Sequence, residues 1–282
     1  DPYDPRVYAK ARDNLQYFLT EGIFMQEASP ALYLYALTMD GRTQVGVVGC
    51  VHVADYAGDV IRKHEKTRKE KEDDRTRHIL ALNAHAEPVF LTHEPNPFIA
   101  TLNLKVMATP PLYDFASADG VRQQVWKVAE SGSYVDAFRR TAVAYVADGH
   151  HRSASALRAA EARGQANLQH TGNEEYNWFL AVLFPANQLK ILAYNRMVKD
   201  LNGLTMDGFL DRLRAVGTLS QSAAPAPEQA GAFGVFLARQ WYRLTLDPAS
   251  IDTRDPIRSL DVSLLHDRVL APILDIGDVR TD

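Results

Sequence analysis

The chain has 282 residues, is 46% hydrophobic and 23% charged, and carries a formal net charge of −4. That length holds one large domain or two moderate ones sharing a cleft, and the acidic balance argues against a general binder of nucleic acid or anionic membranes. No apolar run approaches the roughly 20 residues of a membrane span, and the single cysteine, Cys50, excludes a disulfide framework or a cysteine-rich zinc site, so a cytoplasmic home is expected.

The chain opens on Asp1-Pro2-Tyr3 without a methionine, and a longer parent protein is expected. Val7, Ala11, Leu15, Phe18 and Leu19 recur at helical spacing and predict a helix over 7–20, stopped by Gly22. Residues 31–37 and 44–53 are β-rich runs joined around the hairpin dipeptide Asp40-Gly41. A short strand opens at Val60-Ile61. A helix is predicted over 68–86, charged at first and then apolar at Ile79, Leu80 and Leu82, with Pro88 ending it. Strands follow at 88–92 and 104–107. A second hairpin pairs 112–116 with 121–128 over Asp119-Gly120. A helix near 132–140 leads to a strand at 142–146. After Gly149 a helix runs through Ala154, Leu157 and Ala160 to a glycine stop at Gly164.

Further on, strands are predicted at 178–184 and 190–194, an amphipathic helix at 205–216, strands at 233–237 and 241–246, and a helix at 259–270. Ala, Pro and Gln crowd 221–230, the one linker-like stretch, which divides a core at 1–220 from a smaller C-terminal α+β segment at 221–282 packed on it. Hairpins mixed with scattered helices favour an α+β fold of mixed sheets over a doubly wound parallel sheet.

Val146-Ala147-Asp148-Gly149-His150-His151-Arg152 reads as a strand-to-helix turn suited to phosphate. Backbone N–H groups are free at a helix's first turn, and the helix dipole presents positive charge there. Gly149 permits the sharp turn. Arg152 offers a bidentate fork, and His150 and His151 add donors. Asp148 suits magnesium bridging phosphates, or a proton taken from a hydroxyl. The plainer reading is a capping aspartate followed by solvated surface. Three donors in one first turn outweigh it. Adjacent histidines diverge on a helix, so zinc is disfavoured.

The run at 62–78 is the second candidate. By composition it is a solvated, salt-bridged helix. Its first part, however, reads as a strand end, where His64 and Glu65 sit beside Lys63 and Lys66. A carboxylate so flanked can orient or deprotonate a hydroxyl. Asp73, Asp74 and Arg75 follow on the helix as candidate substrate or supporting residues. Asn195 and Arg196, after an apolar run, are read as an anion contact or as a structural pair. His52, His85, His93, His170 and His266 are isolated and read as structural or surface groups. Cys50 is expected to be an inert core thiol. There is no Walker P-loop, Rossmann glycine fingerprint or kinase His-Arg-Asp loop.

Ala147-Asp148-Gly149-His150-His151-Arg152 resembles the nucleotide-binding turn shared by ParB-like, sulfiredoxin-like and free-serine-kinase proteins. The longer pattern joins Arg62-Lys63-His64-Glu65-Lys66-Thr67 and Lys71-Glu72-Asp73-Asp74-Arg75 to that turn and to Tyr194-Asn195-Arg196. It is similar to a large bacterial and archaeal family catalogued as a conserved domain of unknown function. The resemblance implies a ParB/sulfiredoxin-like core. Free-serine kinases with this turn phosphorylate L-serine to O-phosphoserine using ADP or ATP. Sulfiredoxin chemistry needs a cysteine beside the turn, whereas Cys50 is distant in sequence. DNA binding in ParB-like proteins needs a helix-turn-helix that is not found here.

The expectation is therefore a small-molecule kinase acting on free L-serine with Mg2+ and ADP or ATP. Glu65, Asp148 and His64 are its candidate catalytic groups. Gly149, His150, His151, Arg152 and Thr67 are its candidate phosphate-binding groups. The alternative is a non-catalytic nucleotide-sensing protein of the ParB-like class. A DNA-acting protein ranks last, and no membrane partner is expected.

Overall fold

Asp40 and Gly41 both take positive φ, 52° and 74°, the twist that a two-residue hairpin requires. They join β1 (Tyr33–Met39) to β2 (Arg42–His52), in a register running from Met39 opposite Arg42 to Tyr33 opposite Val48. The computed structural model describes residues 1, 3–222, 225–227 and 229–277. It divides into two compact units, Asp1–Ile191 and Leu192–Asp282.

In the first unit the remaining strands are β3 (Ile61–Arg62), β4 (Val89–His93), β5 (Tyr113–Ala116), β6 (Arg122–Lys127), β7 (Ala144–Asp148) and β8 (Trp178–Pro185). They form one sheet of order β3-β7-β4-β8-β2-β1-β6-β5. β3 runs parallel to β7 and β4 parallel to β8, while the other pairings are antiparallel. The fold is α+β with a large mixed sheet. Alternation along the strands puts Leu34, Val47, Leu91, Val146 and Ala181 on one face, each at most 2% exposed.

The helices are α1 (Pro5–Thr20), α2 (Val53–Ala57), α3 (Lys69–Leu82), α4 (Pro97–Met107), α5 (Gly132–Phe138) and α6 (His150–Ala166). Tyr56 of α2 and Ala156 and Ala160 of α6 pack with Val89, Leu91 and Val146. Ile99 of α4 and Tyr134 and Ala137 of α5 pack with Leu34, Val47 and Trp126. The same sheet face thus carries two core clusters. A cleft of about 470 Å3 is floored by Val47, Gly49, Val51, Leu91 and Leu183 and walled by Asp55, Val60, Val135 and Phe138. α3 lies on α6, and α1 lies on α3 through a hydrogen bond from the Tyr8 hydroxyl to Asp74 (2.8 Å).

Several elements differ from expectation. Residues 104–107 close α4 rather than forming a strand. Asn96 caps that helix by accepting from the Phe98 amide (2.9 Å), and Pro97 opens it, a start signal that outweighs local β-propensity. α3 ends at Leu82 because Asn83 turns left-handed (φ 54°) and its amide returns to the Ile79 carbonyl, well before Pro88. α6 passes through Gly164 to Ala166. Residues 190–194 form no strand, and Ile191 is 97% exposed. His52 ends β2 and caps α2, a helix that the sequence pattern did not announce, by accepting from the Ala54 amide (3.0 Å). Cys50 is exposed on β2 rather than buried in the core.

The second unit has its own core, in which Phe209 and Leu213 of α7 (Met206–Val216) meet Leu244, Leu246 and Ile273. Strands β9 (Thr218–Gln221), β10 (Ala232–Leu237) and β11 (Gln240–Thr245) pair antiparallel in the order β10-β11-β9. A helical run follows from Asp261–Leu265 through a π turn at His266–Leu270 to Ala271–Leu274. Ala223, Ala224 and Glu228 of the linker-like stretch lie outside the described residues.

Candidate functional site

β7 delivers Asp148 to one edge of the sheet, and Gly149 (φ 96°) turns the chain into α6. Because β3 runs parallel to β7, it leaves the sheet at the same edge, and residues 63–68 cross in front of the turn. The carboxyl ends of neighbouring parallel strands are where open sheets take ligands. No side chain caps α6, so its first-turn amides and dipole face that space.

Glu65 approaches the turn from this crossing segment. Its Oε2 lies 3.4 Å from His150 Nδ1, and the His64 ring stands edge-on to the His150 ring with centroids 4.4 Å apart. His150 is 4% exposed, and its Nε2 has no hydrogen-bond partner. Burial pushes the His150 imidazole below its ordinary pKa, and His64 adds to that, against opposing pulls from Glu65 and Asp148. The ring is therefore neutral at physiological pH, so the charge change near neutrality expected of it is moved to more acid conditions. His151 does different work. Its Nε2 accepts the Arg68 amide N–H (3.0 Å), which places its own proton on Nδ1 and pins the start of α3 to the turn.

Arg152 is engaged by its own chain. The guanidinium donates to the Asp148 carboxylate and the Pro88 carbonyl and lies 3.7 Å from Glu87. It also folds back over Gly149, where an added Cβ would fall 3.1 Å from Arg152 Nε. Thr67 donates to Glu72. Asp73 and Glu72 both receive Arg158 of α6, so this acidic pair ties α3 to α6. Asp74 accepts from Tyr8, and Arg75 is half-exposed, 3.6 Å from Asp74. Lys63 pairs with Asp59 (3.1 Å) and lies over the Tyr56 ring, so it is not the neighbour of Glu65 that sequence proximity suggested. Asn195 and Arg196 belong to the second unit, where Arg196 stacks on Tyr194 (3.8 Å) and donates to its carbonyl.

The crossing segment and the turn thus converge. Thr67, Asp73 and Asp74 instead hold neighbouring elements together. Sequence reading did not single out Glu87 or Arg158, and it set His85 aside as isolated. His85 and Glu87 meet Arg75, His78 and Arg152 around a small pocket of about 50 Å3. Arg75 and His78 stand one turn apart on α3 and so reach the pocket together.

The model of a protein family of unknown function, DUF1015, matches residues 1–263, and the chain belongs to that family. No curated protein and no solved structure matches the chain. Among the described residues no helix is long and apolar enough to cross a membrane.

Proposed function

We propose that this family member is a cytoplasmic small-molecule kinase. It phosphorylates free L-serine with ADP or ATP and magnesium, on a ParB/sulfiredoxin-like core. The observation that supports the reading best is the approach of Glu65 to His150, within 3.4 Å, beside an uncapped helix start. Phosphoryl transfer asks mainly for positioning and charge neutralisation.

In this reading the amides at 150–152 receive a phosphate group, and Arg152 keeps the turn in shape. Neutral His150 turns Nδ1 toward Glu65, and His64 packs edge-on to the ring. The Glu65 carboxylate accepts the proton of the acceptor hydroxyl as its oxygen bonds to the terminal phosphorus and the bond to the departing nucleotide breaks. Among the described residues no cluster of three His, Cys, Asp or Glu side chains could hold a metal alone. Magnesium needs only one or two carboxylates when it arrives with phosphates, and the exposed Asp148 suits that place. Bound there, the ion would supply positive charge to offset that of the phosphates.

The test is to incubate the protein with L-serine, magnesium and ADP or ATP and to detect O-phosphoserine by mass spectrometry. Glu65→Gln is expected to lower kcat by about 10²–10⁴ while nucleotide binding persists. No product with either nucleotide, across a panel of hydroxyl amino acids, overturns the proposal. A second reading, a nucleotide-sensing module of the ParB-like class, is favoured by the mutual pairing of Asp148 and Arg152. It predicts saturable nucleotide binding without turnover.

A further inference from the structure

The small pocket beside Arg152 gathers charges of both signs. Arg75, His78 and Ile79 of α3 form one wall, His85, Ala86 and Glu87 another, and Val89 and Phe179 lie at its apolar base. Arg75 is half-exposed, and its nearest carboxylate stands off at 3.6 Å, so its guanidinium has donors to offer. Glu87 is exposed and meets Arg152 only at 3.7 Å, which leaves its carboxylate able to accept. Burial holds the His85 imidazole below its ordinary pKa, against an opposing pull from the backbone of Trp178. His78 has no hydrogen-bond partner among the described residues and adds a polar group to the rim.

A bare anion entering here meets Glu87, and a bare cation meets Arg75 and Arg152. A small zwitterion satisfies both. Size narrows the choice further, because a pocket of about 50 Å3 admits only a small ligand. Arg152 lines the pocket and also belongs to the first turn of α6, so the pocket and the proposed phosphate site share this residue.

We infer that this pocket is the acceptor subsite and takes a small free amino acid, its carboxylate on Arg75 and its ammonium on Glu87. The inference rests on the kinase reading for what is then done to the ligand, but not for the binding itself.

The experiment is calorimetric titration of the full chain, without nucleotide, using L-serine, glycine, inorganic phosphate and ethanolamine. Saturable binding of serine and glycine is expected, with phosphate and ethanolamine at least tenfold weaker. Arg75→Gln should weaken serine binding tenfold or more. Ala86→Leu, which fills the pocket without touching a charge, should do the same, and both sites are exposed enough to spare the fold. No saturable amino-acid binding overturns the inference. So does binding that both variants leave unchanged, or phosphate or ethanolamine binding as tightly as serine. Binding with the expected variant pattern and no phosphoserine keeps the pocket and removes the kinase. Phosphoserine formed with an unchanged KM for serine in both variants keeps the kinase and removes the pocket.

Discussion

Replacing Gly149 by alanine should test how the turn is held. The residue sits at φ 96°, and an L side chain in the left-handed region costs about 1–2 kcal/mol. The new methyl would also lie 3.1 Å from Arg152 Nε and 3.2 Å from Cζ, so the guanidinium must move. Its bonds to Asp148 and the Pro88 carbonyl would be strained or lost. A hydrogen bond to a charged group is worth about 1.5–3 kcal/mol, and partial exposure of this pair puts its loss near the lower end. Gly149→Ala is therefore expected to cost about 2–4 kcal/mol, of which only the backbone part survives once Arg152 is gone. In an Arg152→Ala background the same change should cost about 1–2 kcal/mol. Urea unfolding followed by tryptophan fluorescence measures this in a Trp241→Phe background, where Trp126 and Trp178 report on the first unit. Additive single and double mutants, within about 0.5 kcal/mol, would refute the idea that Arg152 clamps the turn over Gly149.

Three further outcomes are expected. Tyr134→Phe removes a buried hydrogen bond to Asn103 Oδ1 (2.9 Å), and the stranded amide oxygen should cost about 1–2 kcal/mol in the same assay; an unchanged midpoint would remove that bond from the account. The β10–β11 hairpin turns through Ala238 (φ 48°) and Arg239 (φ 66°), so the pair Ala238→Asn and Arg239→Gly should stabilise the second unit by about 1–2 kcal/mol, read at Trp241. Burial lowers the pKa of His93, and of His150 chiefly for the same reason, below the ordinary 6.5. The unfolded chain therefore binds more protons as pH falls through 6.5, and stability should decline from there until the folded pKa values are passed. His93→Gln should flatten that decline below about pH 6.5, at most by about 1.4 kcal/mol per pH unit; an identical slope would exclude His93 as a contributor.

Much of the architecture was legible locally. Asp40-Gly41 and Asp119-Gly120 mark hairpins because few residues accept positive φ, and that chemistry acts within two positions. The helical spacing from Val7 to Leu19 likewise announced α1, although Val7 and Leu19 end exposed and Tyr8 is the residue the helix buries. The structure departs from the local pattern where the deciding signal lies just outside the segment concerned. Asn96-Pro97 began a helix whose last turn alone looks like a strand, and Asn83 stopped α3 before Pro88 could. The apolar run at 190–194 pairs with no strand, and propensity cannot say whether a partner edge will be present.

The turn at 148–152 was the feature most readable from sequence, since a glycine between a strand and a helix states its own geometry. What its side chains do was not readable. Arg152, which looks like a free phosphate fork, is bound to Asp148 and Pro88, and Thr67 and Asp73 hold α3 in place. Lys63 turned to Asp59 rather than to its chain neighbour Glu65. These outcomes depend on which strand lies beside which. Arg68 and His151 are 83 positions apart and share a hydrogen bond only because β3 and β7 run parallel and leave the sheet at one edge. Local dihedral preferences could determine the turn from sequence alone. The company it keeps was decided by long-range strand pairing, which no short-range pattern encodes.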